Sequence, residues 1–160
     1  MIKLDKYKKG LIKLKIGITN DHRGVRVKDF LTEYLHELGY EVINYGTDSE
    51  EPADFPDYAK KLGLGILNHE VDLGIAICGT GIGMSIALNK MKGIYCAKVS
   101  TVSEATLSKA HNDANVMAIS EEMNKDIMKE VILKFIETPF SNIDRYIIRN
   151  NKIKDIEANV

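Results

Sequence analysis

A cysteine followed by a glycine-rich stretch has the residue types most suited to chemistry in this sequence. Cys78 ends the apolar run 71–78, and Gly79, Gly81 and Gly83 follow at alternate positions before a helical pattern. Such an apolar run predicts a buried strand. A buried strand, a glycine turn and a helix N-terminus together offer an anion backbone N–H groups and a favourable helix dipole. We therefore expect chemistry on an anionic substrate, or through an anionic intermediate, at this stretch.

The Cys78 thiol has two interpretations. A lone cysteine in apolar surroundings is commonly a small buried hydrophobe. Directly before a helix N-terminus the thiolate form is favoured, and a thiolate there can act as a base. The glycine spacing differs from G-x-G-x-x-G, and no G-x-x-x-x-G-K phosphate loop is present, so the pattern does not favour a nucleotide site. A tight strand-to-helix turn without a ligand is the alternative.

Further polar residues are candidates for the same site. Asp21 and His22 come directly after the first predicted strand, and the polar run 111–113 precedes the last one. Arg145 and Arg149 are four residues apart, so they lie on one side of a helical turn and could hold a phosphate. A solvated basic face is the alternative interpretation of this pair.

Alternating strand and helix patterns position these groups. The strands are expected at residues 14–19, 40–45, 71–78, 94–99 and 115–119. The helix after the second strand is expected to direct five residues inward: Tyr58, Ala59, Leu62, Ile66 and Leu67. The helix at 121–137 is expected to bury Ile127, Val131, Ile132, Phe135 and Ile136. This order predicts an α/β fold, a three-layer Rossmann-like sandwich with a five-stranded parallel sheet.

Ligands in such folds bind beyond the carboxyl ends of the strands. We therefore expect the three polar groups 20–22, 78–85 and 111–113 to share one rim of the sheet.

The length of the chain limits its domain organisation. The chain has 160 residues, and we expect a single domain at 13–160 preceded by an N-terminal extension at 1–12.

Charge and cysteine content exclude several classes of protein. The net charge of -1 offers no basic face for nucleic acid. No apolar run approaches a membrane span, and no signal-peptide core follows the N-terminal lysines. The two cysteines are typical of reduced thiols in a cytoplasmic protein. No H-E-x-x-H, C-x-x-C or carboxylate cluster predicts a metal site.

Four motifs occur in a characteristic order and spacing. They are Asp-His at 21–22, Gly-Thr at 46–47 with Asp-Phe-Pro at 54–56, Cys-Gly-Thr-Gly-Ile-Gly-Met-Ser at 78–85, and His-Asn-Asp-Ala-Asn at 111–115. Together they resemble ribose-5-phosphate isomerase B and its sugar-phosphate isomerase relatives, which include the galactose-6-phosphate isomerase subunits. The resemblance covers about residues 13–153. It implies a reversible aldose–ketose isomerisation without metal or cofactor, most simply between ribose 5-phosphate and ribulose 5-phosphate in the pentose phosphate pathway.

The resemblance assigns the isomerisation step to the cysteine loop. Cys78 is implied as the base that moves a proton between C1 and C2, through a cis-enediolate. Thr80 is implied to help relay protons to the sugar oxygens. The backbone N–H groups of the loop would stabilise the enediolate oxygen. The other substrate-binding loop positions are Gly79, Gly81, Ile82, Gly83 and Ser85.

Ring opening and phosphate binding are assigned to the remaining polar residues. His111 is implied to open the furanose ring as an acid, with Asp21 at the ring hydroxyl and Asn112 holding sugar hydroxyls. The implied phosphate ligands are His22, Arg145 and Arg149. Members of this family are dimers or tetramers with active sites between subunits. We therefore expect a homodimer or tetramer whose site residues come from two chains.

The phosphate end departs from the family pattern. Where relatives carry Gly-x-Arg after the last strand, this chain has Ser120, Glu121 and Glu122, so a carboxylate replaces an arginine that commonly touches phosphate. Two alternatives therefore stay open. One is the same chemistry on allose 6-phosphate or galactose 6-phosphate. The other is a non-catalytic, sugar-phosphate-binding partner subunit, which the presence of both Cys78 and His111 disfavours.

Overall fold

A five-stranded parallel sheet in the order β2-β1-β3-β5-β4 forms the centre of the computed structural model, which describes residues 14–160. The strands are β1 (Lys15–Asn20), β2 (Glu41–Asn44), β3 (Leu73–Cys78), β4 (Cys96–Lys98) and β5 (Val116–Ser120). The predicted α/β fold with a five-stranded parallel sheet is confirmed. The expected extension at residues 1–12 lies outside the described residues.

Six helices and a 3-10 turn at His22–Gly24 connect and cover the strands. The helices are α1 (Val25–Glu37), α2 (Phe55–Leu67), α3 (Ile82–Asn89), α4 (Val102–Asn112), α5 (Lys125–Glu137) and α6 (Asp144–Asn159). One face of the sheet packs against α1, α4 and α5, and the other against α2 and α3. Since side chains alternate along a strand, Ile75 and Ile77 face the first layer, whereas Ala76 and Cys78 face the second.

Two helical predictions need correction. Leu67, the last residue of α2, and Ile127, in the first turn of α5, are exposed, so the prediction that both point inward is wrong. Met128 is buried in the first turn of α5. The end of the chain forms a 16-residue helix, α6. None of the helices within residues 14–160 is long and apolar enough to cross a membrane.

The direction of α4 determines where residues 111–113 lie. Because α4 returns from the carboxyl end of β4 to the start of β5, its last residues are at the amino edge of the sheet. Asn115, just beyond them, accepts a hydrogen bond from the N–H of Gly74 at the start of β3. The prediction that residues 111–113 share the carboxyl rim is therefore wrong. A strand of six residues such as β3 separates the two edges by about 20 Å.

Candidate active site

The thiol of Cys78 is buried where β3 ends. The N–H of Gly81 donates a hydrogen bond to Cys78 Sγ at 3.1 Å. Such a bond becomes stronger when the sulfur is negatively charged. Thr80 closes the turn, since its Oγ1 accepts a hydrogen bond from the N–H of Ile82 at 3.2 Å. The loop is thus held around the sulfur by two of its own N–H groups.

Three other N–H groups of the loop remain available. Those of Gly79, Thr80 and Gly83 donate to no protein group among residues 14–160. They are the donors that the loop offers to an oxyanion. Ser85 lies one turn into α3, and its side chain hydrogen-bonds with Cys96. Burial raises the pKa of the Cys96 thiol to about 12, so this second cysteine stays neutral.

Gly81 is required by the backbone of this loop. Its φ of +80° lies in the left-handed region, and a Cβ at this position would be 2.9 Å from the carbonyl carbon of Ile119. We expect Gly81→Ala to lower the free energy of unfolding by about 2–4 kcal/mol, through left-handed strain and overpacking. Chemical denaturation measures this difference.

Gly39 provides a matched control for that substitution. It has a similar φ of +86°, but nothing lies within 4 Å of a Cβ at this position. Gly39→Ala should therefore cost only the conformational part, about 1–2 kcal/mol. Equal losses in the two variants would show that the contact with Ile119 does not constrain the loop.

Asp21 and His22 lie beside the cysteine loop, because β1 and β3 are neighbours. The backbone N–H of Asp21 donates to the carbonyl of Ile77 at 3.3 Å. The buried Asp21 carboxylate accepts a hydrogen bond from the N–H of Arg23 at 3.0 Å. The His22 Nδ1 atom lies 3.2 Å from the backbone nitrogen and 3.4 Å from the carbonyl oxygen of Ala53, so the loop before α2 holds the ring in place.

A buried polar network holds the segment with Asp21 and His22 in place. Asn20 Nδ2 donates to the carbonyls of Asp21 at 2.8 Å and of Thr47 at 3.0 Å. The buried ammonium of Lys28 donates to the carbonyl of Thr47 at 2.9 Å and pairs with Asp48. The loop after β2 is therefore tied to the strand that positions Asp21.

His111 belongs to a second group of residues at the other edge of the sheet. Its ring stacks on that of Tyr146 in α6, with centroids 4.0 Å apart and an interplanar angle of 15°. The guanidinium carbons of Arg145 and Arg149 lie 4.8 and 5.9 Å from the centre of the Tyr146 ring. Asn150 secures the contact, since its side chain donates to the carbonyl of His111 at 2.7 Å. Tyr146 was not predicted as a site residue from the sequence. The signal that could have identified it is an aromatic residue between two arginines one helical turn apart.

The end of α4 is held by a buried lysine. Lys109 Nζ donates to Asp113 Oδ1 at 2.9 Å and to the carbonyl of Ala114 at 3.0 Å. Asp113 adopts a left-handed conformation with φ of +47° and ends the helix. This arrangement fixes the position of Asn112 beside His111.

The predicted site residues therefore form two groups on one chain. The thiol half-site contains Asp21, His22 and residues 78–85 at the carboxyl edge of the sheet. The histidine half-site contains the predicted residues at the amino edge: His111, Asn112, Arg145 and Arg149. Among residues 14–160, no group of three or more His, Cys, Asp or Glu side chains is arranged to hold a metal ion.

Arg23 is a charged residue of the thiol half-site that the sequence did not single out. Its Nε and Nη2 atoms each lie 2.6 Å from Glu121 Oε1, and Nη2 lies 3.6 Å from Glu122 Oε1. The hydrogen bond with Glu121 raises the pKa of the Arg23 guanidinium. Glu122, where the resemblance implies an arginine, thus lies next to Arg23.

Known proteins match this chain along most of its length. The family model described as Ribose/Galactose Isomerase matches residues 16–153. Ribose-5-phosphate isomerase B of Escherichia coli is 45% identical over 109 residues, which cover 68% of this chain and 73% of that protein. The solved structure of ribose-5-phosphate isomerase B from Clostridium thermocellum is 38% identical with a TM-score of 0.88, covering 91% of this chain and 98% of that chain.

A further solved structure carries a ligand. Ribose-5-phosphate isomerase B from Mycoplasma genitalium, with bound ribulose 5-phosphate, is 30% identical to this chain with a TM-score of 0.86. The alignment covers 93% of this chain and 99% of that chain. These matches agree with the order of motifs and with the fold. The chain belongs to the ribose/galactose isomerase family of sugar-phosphate isomerases.

Proposed function

We propose that this protein interconverts ribose 5-phosphate and ribulose 5-phosphate through a cis-enediolate, without a metal ion or cofactor. The observation that carries the proposal is the buried thiol of Cys78, hydrogen-bonded by the N–H of Gly81 beside three N–H groups that have no partner within residues 14–160. A base and a set of oxyanion donors are the two requirements of this reaction. Family membership supports the same chemistry.

Cys78 acts as the base in the proposed mechanism. In the aldose-to-ketose direction its thiolate takes the proton from C2, and the electron pair of that C–H bond forms the C1–C2 double bond. The carbonyl electrons move to O1, which becomes the enediolate oxygen. The proton returns to C1, the hydroxyl proton of O2 is transferred to O1, and the ketone forms at C2. Thr80 follows Cys78 by two residues in the same loop, and its hydroxyl helps to relay the proton between the oxygens.

The loop stabilises the negative charge that develops on oxygen. The N–H groups of Gly79, Thr80 and Gly83, which donate to no group in the described part of the chain, lie in the turn that surrounds Cys78. Fixed donors of this kind contribute about 2.7–4 kcal/mol each to transition-state stabilisation in comparable sites. The glycines leave the backbone accessible to a substrate oxygen, since a side chain would block close approach.

A second copy of the chain completes the site in this proposal. The thiol and histidine half-sites lie at opposite edges of one sheet, about 20 Å apart, which is too far to act on one sugar. Ile82 and Ile86 of α3, beside the loop, are 54% and 58% exposed and provide apolar surface for a contact between copies. His111 of the second copy opens the furanose ring, with Asp21 at the ring hydroxyl and Asn112 at the sugar hydroxyls.

The phosphate is held from both copies in this arrangement. His22 belongs to the thiol half-site, and Arg145 and Arg149 come from the histidine half-site. We expect Arg149→Ala to raise KM about tenfold or more, because a charge-assisted hydrogen bond to phosphate is lost in ground and transition states alike. Steady-state kinetics with ribose 5-phosphate measures this change. Lys152→Ala, which removes an exposed positive charge from the same helix, should leave KM within twofold. An unchanged KM in Arg149→Ala would remove that arginine from the site.

An isomerisation assay on three sugar phosphates tests the choice of substrate. The purified protein is compared on ribose 5-phosphate, allose 6-phosphate and galactose 6-phosphate. We expect the largest kcat/KM for ribose 5-phosphate. The alternative is the same chemistry on a hexose phosphate, which the glutamates at 121 and 122 favour, since they alter the charge where relatives carry an arginine. A larger kcat/KM for a hexose phosphate would contradict the pentose assignment and retain the isomerase chemistry.

A further inference from the structure

The guanidinium of Arg23 lies directly against the glycine loop, and the proposed mechanism does not use it. The Cδ, Nε and Cζ atoms of Arg23 lie 3.4 Å from the position that a Cβ on Gly79 would take. This is ordinary van der Waals contact, so the arginine covers one side of the loop. The N–H of Gly79 itself has no hydrogen-bond partner among the residues that the structure describes.

A bridge between neighbouring strand ends fixes the guanidinium in this place. Arg23 follows β1 and Glu121 follows β5, and β3 lies between these strands in the sheet. The ion pair between them therefore crosses the exit of β3. Glu121 is itself anchored there, since its backbone N–H donates to the carbonyl of Cys78 at 2.9 Å.

The guanidinium retains donors for a ligand. Glu121 engages Nε and Nη2, whereas Nη1 has no partner among residues 14–160. The Arg23 side chain is 51% exposed, so a solute can reach it. A guanidinium presents its donors in a planar fork that matches the oxygens of a phosphate. His22, adjacent in the chain, is a proposed phosphate ligand on the same turn.

We propose that Arg23 is a specificity-determining residue that binds the phosphate of the sugar phosphate at the mouth of the glycine loop. This inference rests on the proposed function and assigns a ligand group to a residue outside the implied set. Glu121 directs the fork toward the loop, and Arg23 in turn offsets the negative charge of Glu122. Arg23 thereby supplies a guanidinium at the carboxyl edge of the sheet, where Glu121 and Glu122 carry negative charge.

Binding of inorganic phosphate tests this proposal without requiring turnover. NMR titration of the full chain gives a dissociation constant for the wild type, Arg23→Ala and Arg23→Lys. We expect Arg23→Ala to weaken phosphate binding about tenfold, since charge-assisted hydrogen bonds are lost. Arg23→Lys keeps the charge without the fork and should give an intermediate loss. KM for ribose 5-phosphate should rise in the same order.

Arg26→Ala is the matched control. Arg26 lies three residues further along the chain, forms an ion pair with Glu50 at 2.8 Å, and is 85% exposed. Its removal changes the net charge equally and should alter phosphate binding less than twofold. The proposal would be overturned by an unchanged dissociation constant in Arg23→Ala, by equal weakening in Arg23→Ala and Arg26→Ala, or by a wild type that binds no phosphate.

Failure of the isomerase proposal is recognised separately on the same samples. Thermal unfolding verifies that each variant is folded. Phosphate binding that depends on Arg23, in a protein that isomerises none of the three sugar phosphates, would retain the phosphate site and contradict the enzyme assignment. Turnover of ribose 5-phosphate with no effect of Arg23→Ala on phosphate binding would retain the enzyme assignment and contradict the role of Arg23 at the phosphate.

Discussion

Replacing Cys78 with serine or alanine is expected to lower kcat for ribose 5-phosphate by about 10²–10⁴-fold, the contribution of a well-placed general base. A serine hydroxyl is a far weaker acid than a thiol, so it supplies almost no anion at neutral pH. The Gly81 N–H that bonds the sulfur at 3.1 Å favours a negatively charged atom at this position. The measurement is a single-substrate assay, with circular dichroism to verify the fold.

Cys96→Ala is the control for loss of a thiol. Cys96 is buried at the contact between α3 and β4, and burial raises its pKa to about 12, so it has no part in proton transfer at neutral pH. We expect kcat to stay within twofold in this variant. A Cys78→Ser protein with kcat within tenfold of the wild type would refute the assignment of Cys78 as the base.

Mixing two inactive variants is expected to restore about a quarter of wild-type turnover. Cys78→Ala lacks the base of the thiol half-site, and His111→Ala lacks the acid of the histidine half-site. When two copies associate with two-fold symmetry, each site takes one half from each copy. Random reassociation makes half of the dimers mixed, and each mixed dimer holds one intact site of two. Coexpression, or dilution from mild denaturant, followed by the isomerisation assay, measures the recovery.

A pair of variants within one half-site provides the control for mixing. Cys78→Ala and Asp21→Ala both damage the thiol half-site, so every site in their mixed dimer is defective. This mixture should stay inactive. Recovery in the control, or none in the mixture of Cys78→Ala with His111→Ala, would contradict a site shared between copies.

Local patterns were sufficient to predict the sheet and the cysteine loop. The run 71–78 is apolar at almost every position because β3 is buried on both faces, and the glycines after it match a loop with one left-handed residue. The pair Arg145 and Arg149 was predicted on one side of a helical turn, and both guanidinium groups do lie near the ring of Tyr146. Spacing along one helix depends only on residues that are close in the chain, so the sequence alone predicts it.

Long-range placement was harder to predict. Residues 111–113 were expected at the carboxyl rim, although a helix that returns from one parallel strand to the next must end at the opposite edge. Arg23 and Glu121 are 98 residues apart, and no local pattern connects them. Ile127 fits the helical spacing of the buried face, yet it is exposed, whereas the next residue, Met128, takes the place in the core.

The separation of the two half-sites within one chain has a consequence for divergence after gene duplication. In the shared site that we propose, one copy of a mixed pair can lose Cys78 and the other His111, and one complete site still remains. Each copy is then free to accumulate substitutions around its unused half. The two chains become dependent on each other, since neither alone can turn over the substrate. A fold with its chemistry divided between opposite edges is thereby suited to division of labour between unlike subunits.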